Sequence, residues 1–236
     1  MWDETDGGTV TDIAELRGPV LVTGTDTGVG KTIVTAAVAA VAAAAGARVA
    51  VLKLAQTGAD DDARTVAQLA APATAQTLAS YPDPLAPLTA ARTSGQPPLP
   101  ADQATQAVRD LASDHDLVLV EGAGGLLVPM GVHPASQHPW TVAELAMALG
   151  MPALVVVRAG LGTLNHTALT VEALERRSVV GRVVIGAWPR EPELVHRTNL
   201  TDLAAIAHLV GAVPDGAAKL TPEEFRTAAP TWFTVG

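Results

Sequence analysis

A chain of 236 residues that is 48% apolar but only 3% aromatic must build its core from Ala, Val, Leu and Ile, and no composition shift divides it into two cores. Its net charge of −9, with no basic run, denies it the positive footprint and the aromatic platforms of a nucleic-acid binder. The lack of cysteine excludes disulfides, thiolate catalysis and sulfur-bound zinc. The acidic start "MWDETDGG" does not resemble the n-region of a signal peptide, and the weakly polar runs are too short or too broken by Gly and Pro to span a bilayer. A cytoplasmic protein with no membrane or nucleic-acid partner is expected. Residues 1–17 read as a flexible N-terminal extension and residues 18–236 as one domain.

In chain order, "PVLVTG" reads as a buried strand, followed by a glycine-rich loop and an Ala-rich helix from Lys31 closed at Gly46. "RVAVLKL" is a second strand, and Asp60 to Ala71 a short helix. Between Tyr81 and Pro100, prolines at 82, 84, 87, 97, 98 and 100 predict an extended surface segment without regular structure. A helix is expected over Ala101 to Ser113, then the strand "DLVLVEG", the turn "GAGG", and a helix over Thr141 to Leu149. The strand "ALVVV", the turn "AGLGT" and a helix over Leu164 to Arg177 come next. Last are the strand "RVVIGAW", a helix over Thr198 to Leu209 and a short strand near "VGAVP". Strand and helix alternating in this way predict an α/β fold, a mostly parallel sheet with helices on both faces. Ligands of such sheets sit at the carboxyl ends of the strands.

Four stations at predicted strand ends carry chemistry. The stretch "VLVTGTDTGVGKTIV" joins a strand to a helix, as a phosphate-binding loop must, although Thr25 stands where the strict pattern has its first glycine. Gly24, Gly28 and Gly30 let backbone N–H groups turn inward, Lys31 reaches the terminal phosphates, and Thr32 offers a hydroxyl to magnesium. Lys53 interrupts an apolar strand near its carboxyl end, with Gln56 and Thr57 just beyond. A second lysine beside a triphosphate offsets charge on a transferring phosphoryl group. A polar strand end is expected to tolerate Lys53→Gln without loss of fold. Glu121 ends "DLVLV" as the acid of a Walker B strand, placed to hold magnesium directly or through water, and Gly122 to Gly125 lets backbone approach a ligand. By charge pattern alone, Asp60, Asp61 and Asp62 are a helix start suited to its dipole. The six histidines show no metal-ligand spacing and no role is assigned to them.

Together, GTDTGVGKT, Lys53 to Thr57, DDDA, VEGAGGLLVP and LGTLNHT resemble the dethiobiotin synthetase family over Val20 to Val213. The resemblance implies a P-loop NTPase-like fold and a magnesium-dependent ligase of biotin synthesis, normally a homodimer. Its substrates are 7,8-diaminopelargonate, CO2 and ATP, and its product forms through a carbamate and a carbamic–phosphoric anhydride. By position it makes Lys53 and Lys31 catalytic, and Thr32, Asp62 and Glu121 the metal site. The nucleotide falls to Gly28, Val29, Gly30, Lys31, Thr32, Ile33, Asp62, Glu121, Gly122, Ala123 and Gly124, with Gly186, Ala187, Pro214, Asp215 and Gly216 on the base side. Thr27 and Thr57 fall to the diamine. Gly162, Thr163, Leu164 and Asn165 fall to the substrate's carboxylate, supplied by the neighbouring subunit. For Asp62 and Asn165 the role comes from the resemblance alone; by themselves they read as helix-end residues.

One departure stands out. Where many members of the family place an adenine-reading asparagine, this chain has Gly186-Ala187-Trp188-Pro189, which predicts relaxed base selectivity and good use of a triphosphate such as CTP. Two rival functions are weighed. A partition- or septum-type nucleotide switch shares the loop but carries a lysine where this chain has Asp26, and a cobyrinate-amidase-like synthetase resembles the fold but needs a cysteine nucleophile that this chain lacks.

Overall fold

Apolar runs bounded by glycine or polar residues become buried strands, and the segments between them become helices, in a computed structural model that describes residues 13–233. The chain runs β1 (Gly18–Gly24), α1 (Lys31–Ala44), β2 (Val49–Thr57), α2 (Asp62–Ala70), β3 (Thr74–Tyr81) and α3 (Pro87–Ser94). It continues through β4 (Leu99–Pro100), α4 (Ala101–Ala112), β5 (Leu117–Glu121), β6 (Gly131–Val132), β7 (Pro139–Trp140) and α5 (Val142–Leu149). It closes with β8 (Ala153–Val157), α6 (Thr163–Glu175), β9 (Gly181–Trp188), α7 (Leu194–Ile206), β10 (Leu209–Pro214) and α8 (Pro222–Ala228).

Seven strands form one sheet in the order β10-β9-β8-β1-β5-β2-β3, and every neighbouring pair is parallel. Parallel neighbours require crossovers, and these place α1, α2 and α8 on one face and α3 to α7 on the other. The expected α/β architecture is therefore the one observed. In α1 every residue from Val34 to Ala42 is buried, which alanine permits because its small side chain lets a helix lie close to the sheet. A second, three-stranded sheet of β4, β6 and β7 is held by Trp140, whose indole N–H donates to the Leu99 carbonyl at 2.9 Å.

Four local expectations change. The segment from Tyr81 to Pro100 is not wholly extended, because Pro87 occupies the first turn of α3, where a missing N–H costs nothing, and Gly95 ends that helix at φ 71°. The strand β3 was not anticipated: it is an edge strand, mostly half-exposed, and its sequence TAQTLASY lacks an apolar run. The last long helix begins four residues before Thr198, at a capping box of Glu193 and His196, and Leu209 belongs instead to β10. Within the proposed extension over 1–17, Ile13 and Leu16 are buried in the α1 side of the core, so residues 13–17 pack with the domain; residues 1–12 lie outside the described ones. Among the described residues no helix is long and apolar enough to cross a membrane.

The strand register prepares the site. Glu121, at the end of β5, lies level with Val22 of β1 on one side and Lys53 of β2 on the other. An acid and a lysine far apart in sequence are thereby fixed side by side on adjacent strands at the carboxyl edge of the sheet.

Candidate active site

The loop after β1 wraps the start of α1 and points its lysine back into itself. Lys31 is 7% exposed and its Nζ donates to the Asp26 carbonyl at 2.9 Å. Burial lowers its pKa to about 8, and the nearby Lys53 charge pushes the same way. The loop leans on β9: a Cβ on Gly30 (φ 100°) would come within 2.7 Å of the Gly186 carbonyl oxygen. Asp26 is clipped from outside by Arg158, whose guanidinium donates to Asp26 Oδ2 at 3.2 Å and to the Thr27 carbonyl at 3.0 Å.

Beneath the loop lies a buried charge cluster. Lys53, 4% exposed, sits 2.5 Å from Asp62 Oδ2 and 2.8 Å from Glu121 Oε1, and also donates to the Gly122 carbonyl at 3.0 Å. Burial alone would lower the Lys53 pKa, but Glu121 and Asp62 outweigh it and raise it. Burial likewise pushes Asp62 upward, yet the Lys53 charge and hydrogen bond, with smaller help from Thr32 and Lys31, hold its carboxyl below the usual range. Glu121, 1% exposed, accepts from Thr32 Oγ1 at 3.2 Å on Oε1. Its Oε2 lies 2.7 Å from the Thr35 hydroxyl, which is also 2.9 Å from the Lys31 carbonyl; the single hydroxyl proton favours the nearer, charged acceptor.

Three of these supports were not expected from the residues alone. Thr35 is the only polar residue in α1 beyond Thr32, and that isolation in an Ala/Val helix was the available signal. Gln56 accepts the Asp62 backbone N–H at 3.1 Å and so sets where the acid stands. Arg158 is exposed, and its approach to the loop depends on β8 lying beside β1.

A cleft of about 730 Å³ opens over this cluster, a volume suited to a small-molecule site. Thr27, Gly28, Gly30, Lys31, Thr32 and Ile33 line one side, with Lys53, Thr57 and Asp62 below and Ala123 and Gly124 opposite. Pro84 to Pro87 and Val128 add an apolar wall. Val29 and Glu121 are buried and do not line the cleft; Glu121 lies behind it, bonded to the lining residues Lys53 and Thr32. Gly122 comes directly after Glu121, and its N–H donates to the Val22 carbonyl at 3.0 Å.

The remaining candidates stand elsewhere. Gly186 and Ala187 lie near the end of β9, Gly186 against the loop, and Pro214 to Gly216 adjoin the last residue of that strand, with Asp215 N–H donating to the Trp188 carbonyl at 2.7 Å. Gly162 to Asn165 open α6 and are not among the residues lining this chain's own cleft.

Comparison with known proteins adds the family. An AAA-domain family model matches residues 19–223. The chain is 52% identical to the ATP-dependent dethiobiotin synthetase of Streptomyces avermitilis over 221 residues, 91% of each protein. It is 46% identical to that of Mycobacterium avium over 214 residues, 89% of this chain and 92% of the relative. Among solved structures, the MinD cell division protein of Aquifex aeolicus superposes with a TM-score of 0.52 at 16% identity, covering 90% of this chain and 87% of that one. The signal recognition particle 54 kDa protein of Aeropyrum pernix gives 0.53 at 16% identity, over 91% of this chain and 46% of that one. The structural neighbours share the fold alone. The sequence relatives, with the lysine, acids and loop gathered in one cleft, establish that the chain belongs to the ATP-dependent dethiobiotin synthetase family.

Proposed function

We propose that the protein carboxylates 7,8-diaminopelargonate and closes the ureido ring of dethiobiotin at the cost of a nucleoside triphosphate. The observation that carries this reading is Lys53, held against Asp62 and Glu121 at the foot of the phosphate-binding loop and open to the cleft. The name of the relatives, ATP-dependent dethiobiotin synthetase, supplies ATP and the product.

The three oxygen donors Thr32, Asp62 and Glu121 converge through mutual hydrogen bonds and a shared ammonium, a set that suits Mg2+, which prefers a few carboxylates plus phosphate oxygens. When bound there, Mg2+ neutralises phosphate charge and orients the triphosphate. One amine of the substrate takes up CO2 as a carbamate. A carbamate oxygen then attacks the γ-phosphorus, and the bond to the nucleoside diphosphate breaks. The second amine attacks the carbamoyl carbon, expels phosphate and closes the ring. Both partners in the phosphoryl transfer are anionic. Lys31 holds the terminal phosphates and Lys53 offsets the repulsion, so catalysis is positioning and electrostatics with no protein nucleophile. Thr27 and Thr57 flank the space left for the diamine, and the turn Gly122 to Gly124 brings backbone beside the reacting groups.

The substrate's carboxylate is assigned to Gly162, Thr163, Leu164 and Asn165 of a second copy. Leu161, Leu169 and Leu194 are 92%, 57% and 71% exposed in the turn before α6, along α6 and at the start of α7, and α6 packs beside α7. Apolar exposure of this kind fits a homodimer interface that brings one subunit's α6 to the other's cleft. The enzyme is taken to work in the cytoplasm, where its triphosphate is supplied.

Phosphate release should rise many-fold when 7,8-diaminopelargonate and bicarbonate are added together with Mg2+ and ATP; no stimulation would overturn the assignment. Base selectivity is a separate expectation. Gly186 and Ala187 offer backbone groups only, with no side-chain amide to reject a wrong base, so CTP, GTP and UTP should support kcat/KM within about tenfold of ATP. A preference for ATP of a hundredfold or more would remove this part of the reading.

A further inference from the structure

The segment joining β8 to α6 is pinned from below by one buried side chain. Asn199, on α7 and 5% exposed, donates from its Nδ2 to the carbonyls of Ala159 at 2.9 Å and Gly160 at 3.0 Å. Two hydrogen bonds from one amide to consecutive carbonyls fix the orientation of two successive peptide planes. Across a trans peptide the C=O of one residue and the N–H of the next point in opposite directions, and no cis peptide occurs among the described residues. The N–H groups of Gly160 and Leu161 therefore face away from Asn199.

The outward direction of these N–H groups is shared with the helix start just downstream. Gly162 opens α6 in a left-handed conformation (φ 92°) and provides no side-chain cap, so the first turn keeps N–H groups without intrahelical partners. Gly160's carbonyl also accepts the Thr163 N–H at 3.3 Å, which ties the pinned segment directly to the first residue of the helix. The Thr163 hydroxyl is buried and has no hydrogen-bond partner among the described residues. On the other side the segment begins at Arg158, which is clipped to the phosphate-binding loop. One side chain from α7 thus sets the pose of a donor-rich turn that starts at the nucleotide loop and ends at a helix N-terminus.

We propose that Asn199 is a positioning residue for the anionic end of the substrate: by anchoring the Ala159 and Gly160 carbonyls it aims the adjoining N–H groups outward as an extension of the α6 anion site. The inference rests on the assignment of Gly162 to Asn165 to the substrate's carboxylate. A residue that only held α7 in place would, when replaced, lower stability and affect all substrates alike. A positioning residue weakens recognition of the carboxylate alone.

The experiment uses full-length Asn199→Asp and Asn199→Leu with two substrates, 7,8-diaminopelargonate and its methyl ester, which lacks the charge. In the wild type, KM for the acid should lie about tenfold or more below KM for the ester, the effect of losing charge-assisted hydrogen bonds. Both variants should lift the acid's KM to near the ester's, with the ester's KM, the nucleotide's KM and kcat within about threefold of wild type. Asn199→Asp keeps the shape but loses both donors, whereas Asn199→Leu avoids burying a charge and preserves packing if the first variant folds poorly. An unchanged acid-to-ester ratio in a folded variant overturns the positioning role while leaving the carboxylate site standing. A wild type that treats acid and ester alike overturns the carboxylate site itself, and the role of Asn199 falls with it.

Discussion

Lys53→Gln is expected to lower turnover by about 10²- to 10³-fold, the usual consequence of removing one preorganised charge donor from a transition state. The mechanism needs a cation where two anions meet, and glutamine supplies hydrogen bonds without charge. The sequence-based expectation that this variant folds almost normally does not survive the structure. Lys53 is no solvated strand end; it is 4% exposed and is the counter-charge of Glu121, itself 1% exposed. Removing one partner of a buried pair strands the other, at about 3 kcal/mol or more. The metal-free variant should therefore also show a clearly lower Tm at neutral pH. Asp62 is held below the usual carboxylate range, so its pairing with Lys53 contributes fully above about pH 4 and is lost as acid protonates it. The stability gap to wild type should accordingly narrow in strong acid. Added Mg2+ should recover part of the lost Tm, because Asp62 and Glu121 would regain a cation, while turnover stays low. Steady-state kinetics and thermal melts with and without Mg2+ check both halves. Near-normal turnover removes Lys53 from the reaction, and an unchanged metal-free melt contradicts the buried pairing.

Gly186→Ala should weaken nucleotide binding more than tenfold and destabilise the fold by about 2 to 3 kcal/mol, although it adds a single methyl group. A Cβ at this position would stand 1.9 Å from the Val29 carbonyl oxygen and 2.7 Å from Val156 Cγ1. The obstacle is backbone on one side and a packed strand on the other. β9 cannot retreat easily, since it is paired with β8 and with β10 along its length. The phosphate-binding loop must therefore yield, and a shift of about 1 Å in groups aimed at a ligand can cost a hundredfold. Nucleotide titration and a thermal melt provide the readout; wild-type affinity with an unchanged Tm refutes the close approach. Glycine at 186 results from how closely β9 meets the loop.

Residue order alone was enough for the architecture and for the chemical stations. The alternation of buried strands with helices, the strand-loop-helix context of Lys31 and the acid closing β5 are local patterns, and a local pattern needs no partner to be recognised. Edge strand β3 escaped because an edge needs little apolar surface. The helix at Pro87 escaped because a proline cluster reads as a breaker even when one member sits at the only helical position that tolerates it. Asp62 shows the limit clearly. By pattern it opens a helix, and its role came from resemblance; its meeting with Lys53 depends on Gln56 holding the turn and on β2 lying beside β5. Thr35, Arg158 and Asn199 act through contacts across 86, 132 and 40 residues of chain, and no window of sequence contains both partners. Sequence by itself determined the fold class and which groups can do chemistry, because backbone periodicity and functional-group identity are properties of neighbouring residues. Only the tertiary structure decided which charge neutralises which, how near two backbones come and which way a turn faces, because those quantities depend on distances that strand order and packing create.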